Sequence, residues 1–221
     1  MEDVSNDDER YFTALACAFV RGRLPELTHL SDDELLAQGK AHGLRLHKFK
    51  RNTELPRVRR ILGILRALQP ASLPTSLLDL GSGRGTFLWP LLDAFPDLMV
   101  TALDVSEQRV SDLDAVRRGG VVNLRALQMD ATSIALPDKT VDLVTALEVL
   151  EHLEHPQRAA REAIRLAQRF VLVSVPSKPD DNPEHLQLFT APTMTALLME
   201  AGAHSVKTEY VLNHLIAVAR T

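Results

Sequence analysis

The stretch Leu77-Leu78-Asp79-Leu80-Gly81-Ser82-Gly83-Arg84-Gly85-Thr86-Phe87-Leu88 decides the fold. A short apolar run holding one acid reads as a buried strand. Three alternating glycines read as a tight turn, and the apolar residues after Thr86 open a helix. Glycines there let the backbone come close to a ligand and adopt conformations that a side chain forbids. A glycine-rich turn alone is a weak signal, because many such turns hold no ligand. The dinucleotide fingerprint needs G-x-G-x-x-G, whereas Thr86 stands where its third glycine belongs and Gly85 comes one residue early. A nicotinamide or flavin cofactor is therefore disfavoured.

Outward from this stretch, short apolar runs alternate with helical segments from Ser76 onward, the pattern of βαβ units and a parallel sheet. Strands are placed near 76–80, 99–104, 124–128, 141–147 and 169–175. Residues 205–210 and 215–219 form a closing hairpin around Leu212-Asn213-His214. The expected fold is α/β: a Rossmann-like, seven-stranded, mostly parallel sheet with a C-terminal β-hairpin. Upstream, Phe12, Leu15, Ala16 and Phe19 repeat at helical spacing within Tyr11 to Val20, after nine residues that carry five acids and should fray. Ser31 with Glu34 makes a capping box for a helix running to about Leu44. A third helix, Leu55 to Leu68, carries Val58, Ile61, Leu62 and Leu65 on one stripe. Residues 1–70 thus read as a helical extension and 71–221 as the ligand-binding domain.

The 221 residues, 45% apolar and 24% charged, suit one globular domain. No apolar run approaches the ~20 residues that span a bilayer, and the N-terminus is acidic where a secretory signal is basic, so no membrane partner and a cytoplasmic location are expected. Cys17, the sole cysteine, excludes an intrachain disulfide or a cysteine metal site and reads as an apolar helix residue. A net charge of −4 argues against nonspecific nucleic-acid binding by the whole molecule. Residues 45–60 are the local exception, with Arg45, Lys48, Lys50, Arg51, Arg57, Arg59 and Arg60 against Glu54. Nothing in the pattern fixes an oligomeric state.

Asp79-x-Gly81-x-Gly83-x-Gly85 resembles the first motif of class I S-adenosylmethionine (SAM)-dependent methyltransferases. In that family the loop accommodates the methionine part of SAM, and an acid at the end of the second strand takes the ribose hydroxyls. Asp104, in Ala102-Leu103-Asp104-Val105-Ser106 and 23 residues beyond Gly81, occupies that place. A carboxylate accepts two hydrogen bonds from a vicinal diol, although taken alone Asp104 could equally cap the next helix. Met129-Asp130-Ala131 matches the family's third position, where an acid contacts the adenine amino group. The resemblance covers residues 76–220 and implies a cofactor set of Asp79, Gly81, Ser82, Gly83, Gly85, Asp104, Val105, Asp130, Ala131 and Leu147.

After the fourth strand, Glu148-Val149-Leu150-Glu151-His152 puts Glu148, Glu151 and His152 on one face if it makes a helical turn. His185, in the polar loop after the fifth strand, is a fourth candidate. Two carboxylates and two imidazoles admit a divalent cation such as Mg2+ or Mn2+ at Glu148, Glu151, His152 and His185. The quartet resembles the metal site of small-RNA 3′-terminal ribose 2′-O-methyltransferases, and the Glu-x-x-Glu-His run also resembles ubiquinone-type O-methyltransferases. Under the metal-independent alternative the segment is a hydrogen-bonded turn and lid, with His152 or His185 as general base.

The basic stretch weighs toward an anionic acceptor such as RNA, against the commoner solvated helix face. No Asn/Asp-Pro-Pro-aromatic run follows the fourth strand, against adenine-N6 methylation, and Cys17 is remote from the loop, against cytosine-C5 methylation. Oxygen is the acceptor left. The expectation is an enzyme, a SAM-dependent O-methyltransferase acting on an RNA ribose hydroxyl or a small molecule. Its acceptor pocket is built by the extension and the 176–190 loop. The rivals are a SAM-binding regulatory protein without turnover and a nucleotide-dependent oxidoreductase.

Overall fold

The computed structural model describes residues 12–68, 74–179 and 181–221. The first nine residues and the helix start placed at Tyr11 lie outside the described residues. Seven strands make one sheet: β1 Ser76–Leu80, β2 Met99–Asp104, β3 Leu124–Gln128, β4 Val141–Leu147, β5 Ala167–Pro176, β6 Ser205–Val211 and β7 His214–Arg220. Their order is β3-β2-β1-β4-β5-β7-β6. The first five are parallel, β7 runs antiparallel to β5, and β6 pairs with β7 as the closing hairpin. The expected Rossmann-like sheet is the observed one. β5 starts at Ala167 rather than 169, because Ala167 pairs with Val141 across an irregularity before the regular register resumes at Leu143 and Phe170.

Among the described residues, three α-helices precede the sheet: α1 Thr13–Arg23, α2 Asp32–Ala41 and α3 Pro56–Ala67. Glu34 Oε2 accepts the Ser31 amide at 3.0 Å, one leg of the expected capping box. α2 stops at Ala41, three residues short of the expected Leu44. The Gly43 amide turns back to the Lys40 carbonyl and the Leu44 amide to that of Gly39, the paired bonds that close a helix at a C-terminal glycine. Four helices, α4 Leu88–Ala94, α5 Glu107–Arg118, α6 Pro156–Leu166 and α7 Ala191–Glu200, follow strands β1, β2, β4 and β5.

Alternation along the strands sends neighbouring residues to opposite faces, which builds two cores. Leu77, Val100, Ala102, Leu124 and Leu143 pack with α1, α3, α4 and α5; Leu78, Leu80, Leu103, Val144 and Ala146 pack with α6 and α7. The extension has no core of its own, since Phe19, Leu35, Phe49, Ile61 and Leu65 belong to the first of these clusters, and buried Cys17 lies among them. α1 lies on α5 at backbone distance: a methyl at Gly22 would sit 1.8 Å from the Ala115 carbonyl oxygen, and one at Gly119 1.7 Å from that of Ala18. No helix among the described residues is long and apolar enough to cross a membrane.

The order reverses between β1 and β4, and at such a switch point the crevice beyond the carboxyl ends of the strands is where open α/β sheets bind ligands. The loops after β1, β2, β4 and β5 all meet there.

Candidate cofactor and acceptor site

The turn after β1 is tied to the end of β2. The Gly81 and Ser82 amides both donate to the Leu103 carbonyl, at 2.7 and 3.2 Å, and the Gly83 amide donates to Asp104 Oδ2 at 3.0 Å. Gly85, at φ 82°, must be glycine for a second reason: a Cβ there would lie 2.1 Å from the Trp89 ring. Buried Asp104 also accepts the Ser106 amide at 2.9 Å and the Arg109 guanidinium at 3.3 Å. The side-chain cap of α5 is Ser106, not Asp104, whose carboxylate instead lines a cavity of about 710 Å3.

That cavity joins Gly81, Gly83, Asp104, Val105, Asp130 and Ala131 at one end to Val149, His152, Glu184 and Leu186 at the other. Asp130 is oriented through Oδ1, which accepts the Thr132 amide and hydroxyl at 2.8 Å each. A smaller cavity of about 170 Å3 adjoins it and holds Asp79, Ser82, Leu147, Glu148 and, from α3, Arg57. Buried Asp79 accepts the Thr145 hydroxyl at 2.6 Å. Burial pushes its carboxyl up to about 6, with the Thr145 hydrogen bond pulling the other way. A desolvated carboxylate with so little compensation favours a cation beside it, and the ammonium of a methionine moiety is one. Apart from Gly85, which packs against Trp89, the residues expected to hold SAM line two adjoining cavities of a size and chemistry that fit that cofactor.

The acceptor end departs from the expected arrangement. Glu148 takes a left-handed φ of 57°, and the helical turn begins only afterwards, as a single 3-10 turn over Leu150–His152. Glu148 is consequently not on the face of Glu151 and His152. Its Oε1 accepts the Ser174 hydroxyl at 2.6 Å, and its Oε2 lies 3.3 Å from His214 Nε2, with Arg57 at 4.0 Å. Burial opposes its ionisation, yet His214 and Ser174 hold its carboxyl below the usual range. The proposed quartet is thus divided: Glu148 leaves it, while ligand atoms of Glu151, His152 and His185 all lie within 4.8 Å of one another.

The loop after β5 is strapped to this turn. The Leu186 amide donates to the Glu151 carbonyl at 2.8 Å, and His152 Nδ1 donates to the Glu184 carbonyl at 2.9 Å. The rings of His152 and His185 stand 4.9 Å apart, and Glu151 is 1% exposed.

The basic stretch does not form one face. Lys48 pairs with Asp112, Arg51 with Asp93, Arg57 approaches Glu148, and Arg60 grips Glu209 at 2.5 and 2.8 Å. Sequence reasoning missed Arg57, Thr145, Arg109 and His214 as neighbours of the site. Three of them sit in segments whose local pattern gives no sign of where they point; only Thr145, two residues before the end of β4, stood at a register position that could have signalled it.

The methyltransferase-domain family model matches residues 78–170, from β1 into β5. The match takes in Asp79, the glycine loop, Asp104, Asp130 and the Glu151-His152 turn. The chain is 28% identical over 149 residues to a SAM-dependent methyltransferase of Mycobacterium tuberculosis, covering 63% of this chain and 52% of that protein. It is 33% identical over 106 residues to the malonyl-(acyl-carrier protein) O-methyltransferase of Methylococcus capsulatus, covering 48% and 38%. It spans about half or less of these relatives' lengths. Among solved structures, a SAM-dependent methyltransferase from Aquifex aeolicus superposes with a TM-score of 0.59 at 22% identity, over 76% of this chain and 92% of that one. The [4+2]-cyclase SpnF gives 0.59 at 20% identity, over 73% and 80%. These likenesses fix the fold, which hosts more than one chemistry. The family match and these relatives support SAM as cofactor and an enzymatic role.

Proposed function

We propose that the chain is a SAM-dependent O-methyltransferase acting on a small-molecule hydroxyl, with His152 as general base. One observation carries this reading. A backbone carbonyl only accepts, so the contact to Glu184 commits Nδ1 of His152 to carry the proton and leaves Nε2 with the lone pair. That ring lines the cavity opposite the Gly83–Asp104 end. Asp104 takes the ribose hydroxyls, Asp130 the adenine edge, and Asp79 with the glycine loop the methionine end. Bound SAM supplies an electrophilic methyl group. The protein's part is to align the acceptor oxygen behind it and take its proton. Positioning the acceptor falls to the loop after β5 and to α3.

Oxygen as acceptor is supported by the sequence absences and by the O-methyltransferase relative. The intact Asp79, Asp104 and Asp130, with a base beside them, weigh against a purely regulatory SAM binder. A second reading has one observation in its favour: Glu151, His152 and His185 are close enough to hold Mn2+ or Mg2+, which would lower the pKa of the acceptor hydroxyl. An RNA 3′-ribose acceptor belongs with that reading. The departure of Glu148 from the quartet and the dispersal of the basic residues both favour the small molecule.

Transfer of labelled methyl from SAM to a phenol panel and to a short RNA, each with Mn2+ or with EDTA, tests the two. EDTA-insensitive labelling of a phenol is expected. Labelling of the RNA 3′ end that EDTA abolishes would overturn the base-only reading in favour of the metal.

A further inference from the structure

A second large cavity, about 770 Å3, lies on the extension side of the cofactor loop, between the segment joining α2 to α3 and the start of α5. Five cationic side chains line it: Arg23, Arg45 and Lys48 from the extension, Arg84 from the glycine turn and Arg109 from α5. The one lining carboxylate, Asp112, is already shared by Arg23 and Lys48 at 2.6 Å each. Arg109 reaches back to Asp104. Arg45 and Arg84 are exposed and make no ion pair among the described residues.

Concentrating positive charge in a concave site raises its potential, because low-dielectric walls focus the field. Burial pushes the Lys48 ammonium below its ordinary value; Asp112 opposes that shift, and Arg23 and Arg45 add to it. A guanidinium fork pairs bidentately with a carboxylate or a phosphate, and several cations converging on one cavity suit the phosphate, which brings more oxygens and more charge. Ser106 and Gln108, at the amino end of twelve-residue α5, add donors to the same wall. The volume is that of a small-molecule site and leaves room for more than the phosphate itself.

We propose that this cavity binds a phosphate-bearing small molecule, its phosphate held by Arg45, Lys48 and Arg84. The site borders the cofactor cavities, sharing Arg109 with the larger and Arg84 with the smaller, and does not depend on the acceptor assigned above. Its position has a consequence that does rest on SAM binding at Asp104. A phosphate competes with Asp104 for Arg109, so occupation of this cavity frees the carboxylate for the ribose hydroxyls. By linkage, phosphate and SAM then raise each other's affinity by the same factor.

Calorimetric titration of the whole chain at low ionic strength, with inorganic pyrophosphate, ribose 5-phosphate and ribose as probes, tests the site. Saturable one-to-one binding of the two phosphates and none of ribose is expected. Arg45→Ala should weaken phosphate binding at least tenfold, Arg45→Lys less, and Arg59→Ala, on an exposed arginine outside the cavity, by less than twofold. Thermal melting confirms that each variant is folded. Absence of saturable binding, or equal affinity in wild type and Arg45→Ala, overturns the proposal. A 5′-phosphorylated RNA that binds through Arg45 while pyrophosphate and ribose 5-phosphate do not would overturn the small-molecule assignment in favour of nucleic acid. Saturating pyrophosphate should tighten SAM binding severalfold, and an unchanged SAM affinity overturns the coupling. Failure of SAM to bind at all would strike the cofactor reading and leave the pyrophosphate result standing.

Discussion

The two ends of the crevice are assembled in different ways. At the cofactor end, Asp79 lies in β1, Asp104 closes β2 and Asp130 follows β3 by two residues, and each is held by bonds to residues nearby in chain or sheet: Thr145, Ser106 and Thr132. At the acceptor end, Glu151 and His152 come from a 3-10 turn and His185 from a loop beyond the next strand. They are brought together by hydrogen bonds between groups far apart in the chain, from the Leu186 amide to the Glu151 carbonyl and from the His152 ring to the Glu184 carbonyl. A site built from strand ends inherits its geometry from the sheet. One built from two loops is set by how those loops dock.

The division is open to test. His152→Gln should lower turnover by about 10²- to 10⁴-fold, the usual worth of a general base, while calorimetric SAM affinity stays within about twofold. A matching loss of SAM affinity would erase the distinction between the two ends. Asp104→Ala should do the reverse, weakening SAM binding about a hundredfold or more through the loss of charge-assisted hydrogen bonds to the ribose, with the fold intact by thermal melting. Unchanged affinity would remove Asp104 from the cofactor end.

Asp79→Asn probes the cost of keeping a buried acid. Its folded-state carboxyl titrates near 6, above the ordinary 3.8, so the folded form holds the proton more tightly. Its contribution to stability is therefore greatest below about pH 4, falls as pH rises from there to about 6, and is level beyond. Asp79→Asn should flatten that decline and stabilise the ligand-free protein above pH 6 by up to about 3 kcal/mol, while weakening SAM. Urea melts at pH 4 and pH 7.5 measure it; a variant no more stable at pH 7.5 would show that Asp79 is better served than burial implies. The smallest effect belongs to Glu148→Ala. It should cost about 1–2 kcal/mol through the Ser174 and His214 contacts and leave any Mn2+ affinity at Glu151, His152 and His185 within a few-fold. Loss of Mn2+ binding in that variant would restore Glu148 to the metal set.

Strand positions, the parallel sheet with its closing hairpin, and the glycine turn were all legible in the chain. They depend on period-two burial, on glycine at fixed offsets, and on acids placed where a strand ends, each a property of a few consecutive residues. Leu77 and Leu78 show this: adjacent in sequence, they face two different cores because a strand alternates. Bounds were less legible where a tertiary partner decided them, as at Ala167, which is drawn into β5 by Val141.

The residues of the acceptor end were named and grouped from the sequence, and all but Glu148 stay together in the structure. A regular helical turn puts Glu148 with Glu151 and His152. The chain instead reverses through a left-handed residue at Glu148, because its carboxylate finds Ser174 and His214 on β5 and β7. The fate of the basic residues 45–60 was decided in the same way. Their charge is a fact of sequence, yet which of them meets an acid, a methionine pocket or an empty-handed neighbour depends on how α3 and its lead-in lie against the sheet. Short-range periodicity and backbone geometry are written locally and survive being read alone. Side-chain partnerships across loops are settled only when distant segments compete for the same charges.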